Sequence, residues 1–154
     1  MHNLHAIIAK RTEIWGGRGL SWPSCPVDLP NDLVLIPVND AFYAAKCGEH
    51  SPLVVETFEF LTPAFMNCLR EASRGRTLAY CETDYFGGDG GQGAVVWRDG
   101  DCVFGPMFGE DDHINQALAF LEIAPSAGKD LFQTLGLCDH RSTDEWIRAA
   151  TGKK

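Results

Sequence analysis

Short stretches in which apolar and polar residues alternate predict several β-strands, because alternate side chains of a strand point to opposite faces. The expected strands cover residues 4–9, 33–38, 77–86, 93–97 and 102–105. Residues 54–60 alternate too, and this stretch is compatible with a strand or with the approach to a helix. Asp99-Gly100 separates the last two strands and predicts a tight hairpin.

Helical spacing of apolar residues, preceded by residues that cap helices well, predicts several short helices. The expected helices begin at Asn39 or Asp40, at Thr62, at Asp111 or Asp112, near Leu131 and at Ser142. Residues 15–31, rich in Gly and Pro, predict an irregular surface segment. Consecutive strands flanked by helices predict an α+β fold, with an antiparallel β-meander packed against several short helices in a single domain over residues 1–154.

Acidic residues are concentrated in one part of the chain, and this changes the functional expectation. The net charge is −8, and residues 80–112 contain eight of the 21 acidic residues but only one of the 13 basic residues. That segment therefore carries −7. A concentrated negative charge can steer a basic partner, and it disfavours direct binding to nucleic acid.

Period-two geometry of the strand at residues 77–86 places Glu82 and Asp84 on one face, which we expect to be exposed, while the face containing Cys81 meets the core. Glycines at 87–93 predict a long flexible hairpin loop that adapts to a partner. Among nearby aromatic residues, Trp97 and Phe104 are expected in the core, whereas Tyr85 and Phe86 are expected to anchor an interface.

Patterns that would indicate a cofactor or a metal are weak, and we expect no cofactor. The glycines at 88, 90 and 93 match the spacing of a dinucleotide-binding loop, but a strand rather than a helix follows them. The five histidines have no compact metal-ligand spacing. A small metal-dependent hydrolase using Asp111, Asp112 or His113 stays an alternative, as does a structural or regulatory interaction module.

The expected compartment is the cytoplasm. The apolar run at residues 4–9 is too short for a signal peptide, and no apolar stretch is long enough to span a membrane. The six cysteines are widely spaced without a C-x-x-C pair, so we expect free thiols that behave as small buried apolar side chains.

Several segments of the second half of the chain resemble a group of small bacterial proteins. Residues 79–92 read AYCETDYFGGDGGQ, residues 94–97 read AVVW, residues 114–118 read INQAL and residues 135–137 read LGL. The shared pattern is an E-x-D/E-Y-F-G-G-x-G-x-Q hairpin. Such proteins are similar in size, charge and compartment to cytosolic immunity proteins of bacterial toxin systems.

The resemblance implies a protein-binding inhibitor that is not an enzyme. Its partner would be a cognate toxin, basic in charge and possibly a nuclease, whose active site is covered by the acidic hairpin. The predicted partner-binding residues are Glu82, Asp84, Tyr85, Phe86, Asp89, Gln92, Glu110, Asp111 and Asp112.

Overall fold

A six-stranded antiparallel sheet forms the centre of the protein. The computed structural model describes residues 2–12, 23, 25–48, 52–55, 57–86 and 89–151. The strand order is β2-β3-β1-β4-β5-β6, and all neighbours are antiparallel. The strands are β1 (His5–Lys10), β2 (Val27–Leu29), β3 (Leu33–Pro37), β4 (Thr77–Phe86), β5 (Asp89–Arg98) and β6 (Asp101–Gly109). The predicted meander is β4-β5-β6, and β1 lies between β3 and β4.

Short helices flank the sheet, as the capping residues predict. They are α1 (Asp40–Cys47), α2 (Pro63–Ala72), α3 (His113–Leu118) with a following 3-10 turn (Ala119–Leu121), α4 (Leu131–Thr134) and α5 (Thr143–Thr151). Asn39 caps α1 by accepting a hydrogen bond from the Phe42 amide, and Thr62 caps α2 in the same way. The α+β fold and the single domain are therefore confirmed.

Both faces of the sheet are buried, which the sequence interpretation did not anticipate. Alternate residues such as Cys81 pack under α3, α4 and α5, with Trp146 from the last helix. Their neighbours, such as Tyr80, pack under α1, α2 and the segment at residues 58–61. The prediction that only the Cys81 face meets the core is wrong, because the chain before β4 folds back over the other face.

Glu82 lies inside this second layer, with only 2% of its surface exposed. Its carboxylate accepts hydrogen bonds from the backbone amides of Glu59 (2.7 Å) and Phe60 (3.1 Å) and from the Tyr80 hydroxyl (2.6 Å). Burial raises the pKa of Glu82 to about 7, and the three donors oppose that rise. The expectation that Glu82 projects outward beside Asp84 is therefore wrong, since Glu82 attaches the segment before α2 to the sheet.

The glycines at 87–93 do not form a long loop. β5 begins at Asp89, which pairs with Phe86, so only Gly87 and Gly88, which lie outside the described residues, separate the strands. Gly93 has a packing role, since a Cβ there would come within 2.4 Å of the Phe108 ring. The absence of a side chain at this position allows Phe58 and Phe108 to make an edge contact with centroids 5.4 Å apart.

Several other expectations need correction. Among residues 54–60, those that the structure describes form bends and a turn before α2, so the stretch is the approach to a helix rather than a strand, and Phe58 and Phe60 are buried. Most of the expected irregular segment at residues 15–31 lies outside the described residues, but Val27–Leu29 forms β2. All six cysteines are free, as predicted, but only Cys81 is fully buried. No helix in the described parts of the chain has the length and apolar character of a membrane span.

We predict that Gly93→Ala lowers the free energy of unfolding by about 1–3 kcal/mol, because the added methyl group displaces two packed aromatic rings. Gly109→Ala is the matched control in the neighbouring strand, where a Cβ meets nothing closer than 3.5 Å. Urea unfolding of both variants measures the difference. Equal effects of the two substitutions would contradict this account of Gly93.

We predict that Glu82→Gln changes how stability depends on pH. The raised pKa means that folded Glu82 binds a proton that the unfolded chain releases, so its contribution is fully present below pH 4.5 and is lost as the pH rises through 7. Between pH 5 and 8 the wild type should therefore lose on the order of 2 kcal/mol relative to Glu82→Gln.

Urea unfolding at several pH values checks this result, and Tyr80→Phe supplies a second comparison. Removing the Tyr80 hydroxyl takes away a donor that favours the ionised carboxylate, so the loss of stability should move to higher pH. Parallel pH profiles for the wild type and Glu82→Gln would show that Glu82 does not titrate in this range.

Candidate functional site

The β4-β5 hairpin extends beyond its neighbouring strands. β1 last pairs with β4 at Glu82, with one further bridge between His2 and Tyr85, and β6 last pairs with β5 at Gln92. The chain after β6 turns into α3 beside Gln92, whose side-chain oxygen accepts the Ile114 amide at 2.7 Å. Exposed residues therefore gather at this end of the sheet, and we call them the acidic tip: Asp84, Phe86, Asp89, Glu110, Asp111 and Asp112.

The acidic tip combines uncompensated charge with one large apolar side chain. Phe86 is 75% exposed, far more than an average aromatic residue in a folded protein. No Lys, Arg or His side chain among the described residues forms a salt bridge with any carboxylate of the tip. Within the described parts of the chain, the carboxylates of this surface are therefore not neutralised by direct ion pairs.

Three acids of the −7 segment lie elsewhere. Glu82 is buried, and Asp99 and Asp101 lie at the β5-β6 turn, next to the pairing of Thr77 with Arg98. That turn is at the opposite end of a ten-residue strand, about 30 Å from the tip. Five of its eight carboxylates therefore lie at this end of the sheet, with Asp84 on the strand face of Glu82 and Asp112 beside Tyr85 on the other face.

A pocket of about 330 Å³ lies beside the tip, between the sheet and the helices α3 and α4. Three predicted residues line it, namely Tyr85, Gln92 and Asp112. The remaining polar and aromatic lining comes from His2, Thr83, Asn115, Asp130 and Phe132. Its volume lies in the range of sites that bind small ligands or single side chains.

Two side-chain amides organise this pocket. Gln92 donates to the Tyr85 hydroxyl at 3.0 Å while its oxygen holds the first turn of α3. Asn115 donates to Asp112 at 2.7 Å and to Asp130 at 3.2 Å, and its oxygen accepts the Phe132 amide at 2.8 Å. The amides therefore hold the aromatic and acidic groups in place from fixed elements.

His2 closes the inner wall of the pocket in a neutral form. The Thr83 hydroxyl accepts the Leu4 amide at 2.8 Å and lies 2.6 Å from Nδ1 of His2, while Nε2 of His2 lies 3.1 Å from the Leu137 carbonyl. A neutral imidazole protonated on Nε2 satisfies both contacts, with Thr83 donating to Nδ1. Burial lowers the pKa of His2, in agreement with this form.

Sequence reasoning missed Asn115, Asp130, Phe132, His2 and Thr83. Asn115 belongs to the INQAL segment, but nothing local indicates that its amide faces two acids. The sequence around Asp130 indicates a helix start rather than a pocket residue, because Asp130 and Gln133 form a capping box at α4. The tertiary packing of α4 beside α3 brings the same carboxylate to the pocket.

The residues of the alternative metal-dependent hydrolase, at 111–113, do not converge. Asp111 and Asp112 are exposed, whereas His113 is buried and its Nδ1 has no hydrogen-bond partner. Asp112 occupies the N-cap position of α3, but its side chain binds Asn115 instead of a backbone amide. No cluster of three or more His, Cys, Asp and Glu side chains suited to a metal ion occurs among the described residues.

A hydroxyl, an imidazole and a carboxylate also meet on the opposite side of the sheet. Nε2 of His5 contacts Glu59 at 2.6 Å, and its Nδ1 lies 3.1 Å from the Thr143 hydroxyl. Burial lowers the pKa of His5 to about 4, so the imidazole is neutral. Thr143 is itself buried and already accepts the His5 amide at 2.8 Å. These contacts join β1 to the start of α5.

The comparisons leave this geometry as the basis for a functional conclusion. Protein-family models, curated proteins and solved structures were all searched, and no match to this chain was found in any of them.

Proposed function

We propose that this chain is a cytosolic protein-binding inhibitor, an immunity protein that neutralises a cognate bacterial toxin by covering its basic active site with the acidic tip. The observation that supports the proposal is the exposed Phe86 at the end of a hairpin, together with exposed carboxylates at the same end that form no salt bridge with a basic residue of the described chain. The resemblance of the hairpin sequence to small bacterial proteins of this kind supports the same proposal.

The charge of the tip acts mainly on the encounter with the partner. Exposed carboxylates at one end of the molecule attract a basic protein over roughly a Debye length, about 10 Å at 0.1 M salt. Such steering increases the association rate and orients the partner toward the tip. A toxin that acts on nucleic acid has a cationic cleft, and this surface is complementary to that charge.

Phe86 acts mainly on the lifetime of the complex. An aromatic side chain that loses its exposed surface in an interface contributes apolar burial at low entropic cost, and it is a frequent energetic centre of protein interfaces. Its hairpin is held by ten consecutive residue pairs between β4 and β5. The ring therefore stands on a regular strand rather than on a long loop.

We predict that charge reversal at the tip slows binding much more than equal charge reversal at the far end. The tip variant is Asp84→Lys with Asp89→Lys, and the far-end control with the same charge change is Glu71→Lys with Asp101→Lys. All four sites are exposed, and Glu71 also forms a surface ion pair with Arg74. Stopped-flow mixing with the purified toxin encoded beside this gene should show an association rate lowered about tenfold or more for the tip variant. The control should stay close to the wild type.

Phe86→Ala tests the apolar part separately, and we expect dissociation to become about 30-fold faster, the equivalent of a 2 kcal/mol interface centre. Raising the salt concentration from 0.05 M to 0.5 M should slow association of the wild type. The proposal fails if the product of the neighbouring gene forms no complex, or if the tip and far-end variants behave alike.

A further inference from the structure

The pocket beside the tip brings two carboxylates close together, and no Lys or Arg is among the described residues that line it. Asp112 and Asp130 both accept hydrogen bonds from the same nitrogen of Asn115. Neither carboxylate forms a salt bridge with a Lys, Arg or His of the described chain. Like charges this close repel each other, so a cation placed between them is favoured.

The donors next to the two carboxylates are already used, whereas acceptor sites remain on both carboxylates. Both amide hydrogens of Asn115 are directed at carboxylates, and the ring N–H of His2 binds the Leu137 carbonyl. Each carboxylate has about four lone-pair sites. Of these, Asp130 uses one on the Gln133 amide and one on Asn115, and Asp112 uses one on Asn115. The carboxylate pair therefore suits a group that only donates.

A guanidinium group meets this requirement better than an ammonium group. It has five N–H donors, no acceptor and a flat shape that binds carboxylates in pairs. The half-buried rings of Tyr85 and Phe132 are part of the same lining. Aromatic faces attract arginine through cation–π contact and stacking, which the compact ammonium of lysine does less well.

The position of the pocket links it to the docking surface. Asp112 belongs to the acidic tip and also lines the pocket, so one partner can cover the tip and insert a side chain here. Amides and capping contacts hold the acidic walls before binding, which reduces the ordering cost of forming an ion pair. A paired, desolvated charge at such a place is typical of an interface centre.

We propose that this pocket receives one arginine side chain of the basic partner protein, with its guanidinium between Asp112 and Asp130 and its flat face against Phe132. This inference rests on the proposed function, because it names the contact by which the same partner is recognised. Arginine is the chemical class to which the donor and acceptor pattern of the pocket is complementary.

The pocket is tested on the full chain with three blocked amino acids: N-acetyl-arginine amide, N-acetyl-lysine amide and the neutral isostere N-acetyl-citrulline amide. We expect the arginine compound to shift the NMR signals of the Asn115 side-chain amide and the Phe132 backbone amide, with saturation at about millimolar concentration. The lysine compound should bind several-fold more weakly, and the citrulline compound should cause no shift at the same concentration.

Asp112→Asn with Asp130→Asn should weaken binding of the arginine compound at least tenfold. Asparagine at position 130 still caps α4, since Asn and Asp are comparable N-caps, so the fold is retained. Glu71→Gln with Asp101→Asn removes the same charge at the far end and should change nothing. Phe132→Leu keeps an apolar side chain and should reduce the preference for arginine over lysine.

Equal shifts with the citrulline compound, or no shift with the arginine compound, would overturn this inference. The same variants separate it from the proposed function when they are mixed with the toxin. If the pocket variant binds the toxin as tightly as the wild type while the tip variant does not, the arginine contact is wrong and the inhibitor role stands. If the arginine compound binds but the toxin forms no complex, the inhibitor role is wrong and the arginine specificity of the pocket stands.

Discussion

Burial of both faces of the central strands determines which of their polar side chains are exposed to solvent. Neighbouring residues such as Ile7 and Ile8, or Tyr80 and Cys81, are all fully buried although they point in opposite directions. A strand covered on both sides has no solvent face, so its exposed charged side chains are restricted to its ends. Asp84, Phe86 and Asp89 are exposed because β4 and β5 continue beyond the neighbouring strands, and the pocket lies where α3 and α4 meet the sheet at the same end.

Glu82 is the exception, and burying its carboxylate on a covered face costs free energy. Its carboxylate lies on a covered face, where desolvation disfavours ionisation, and three donors compensate in part. Two of those donors are backbone amides of the segment before α2, so the same contacts bring Phe58 and Phe60 onto the sheet. An acid that looks like a surface residue in the sequence is thus a structural connection between two parts of the core.

Local features were predictable because short-range physics produces them. The meander, the Asp99-Gly100 turn and the caps at Asn39, Thr62 and Asp130 depend on residues a few positions apart. The position of Asp99 and Asp101 was also available from the predicted strands, since a turn that ends a ten-residue strand is far from its other end. The acidic segment of the sequence therefore contributes to two separate surfaces, the acidic tip and the β5-β6 turn with Asp99 and Asp101.

The sequence by itself determined the α+β class, most of the strands and the helix starts, the free thiols and the presence of an acidic hairpin with exposed Phe86. Tertiary structure alone decided that Glu82 is internal, that glycine at position 93 serves packing, and that Asp112 and Asp130 face each other across Asn115. The physical reason is distance along the chain. Strand alternation and helix capping act between near neighbours, whereas the second covering layer and the pocket arise from segments that meet only after the sheet has formed.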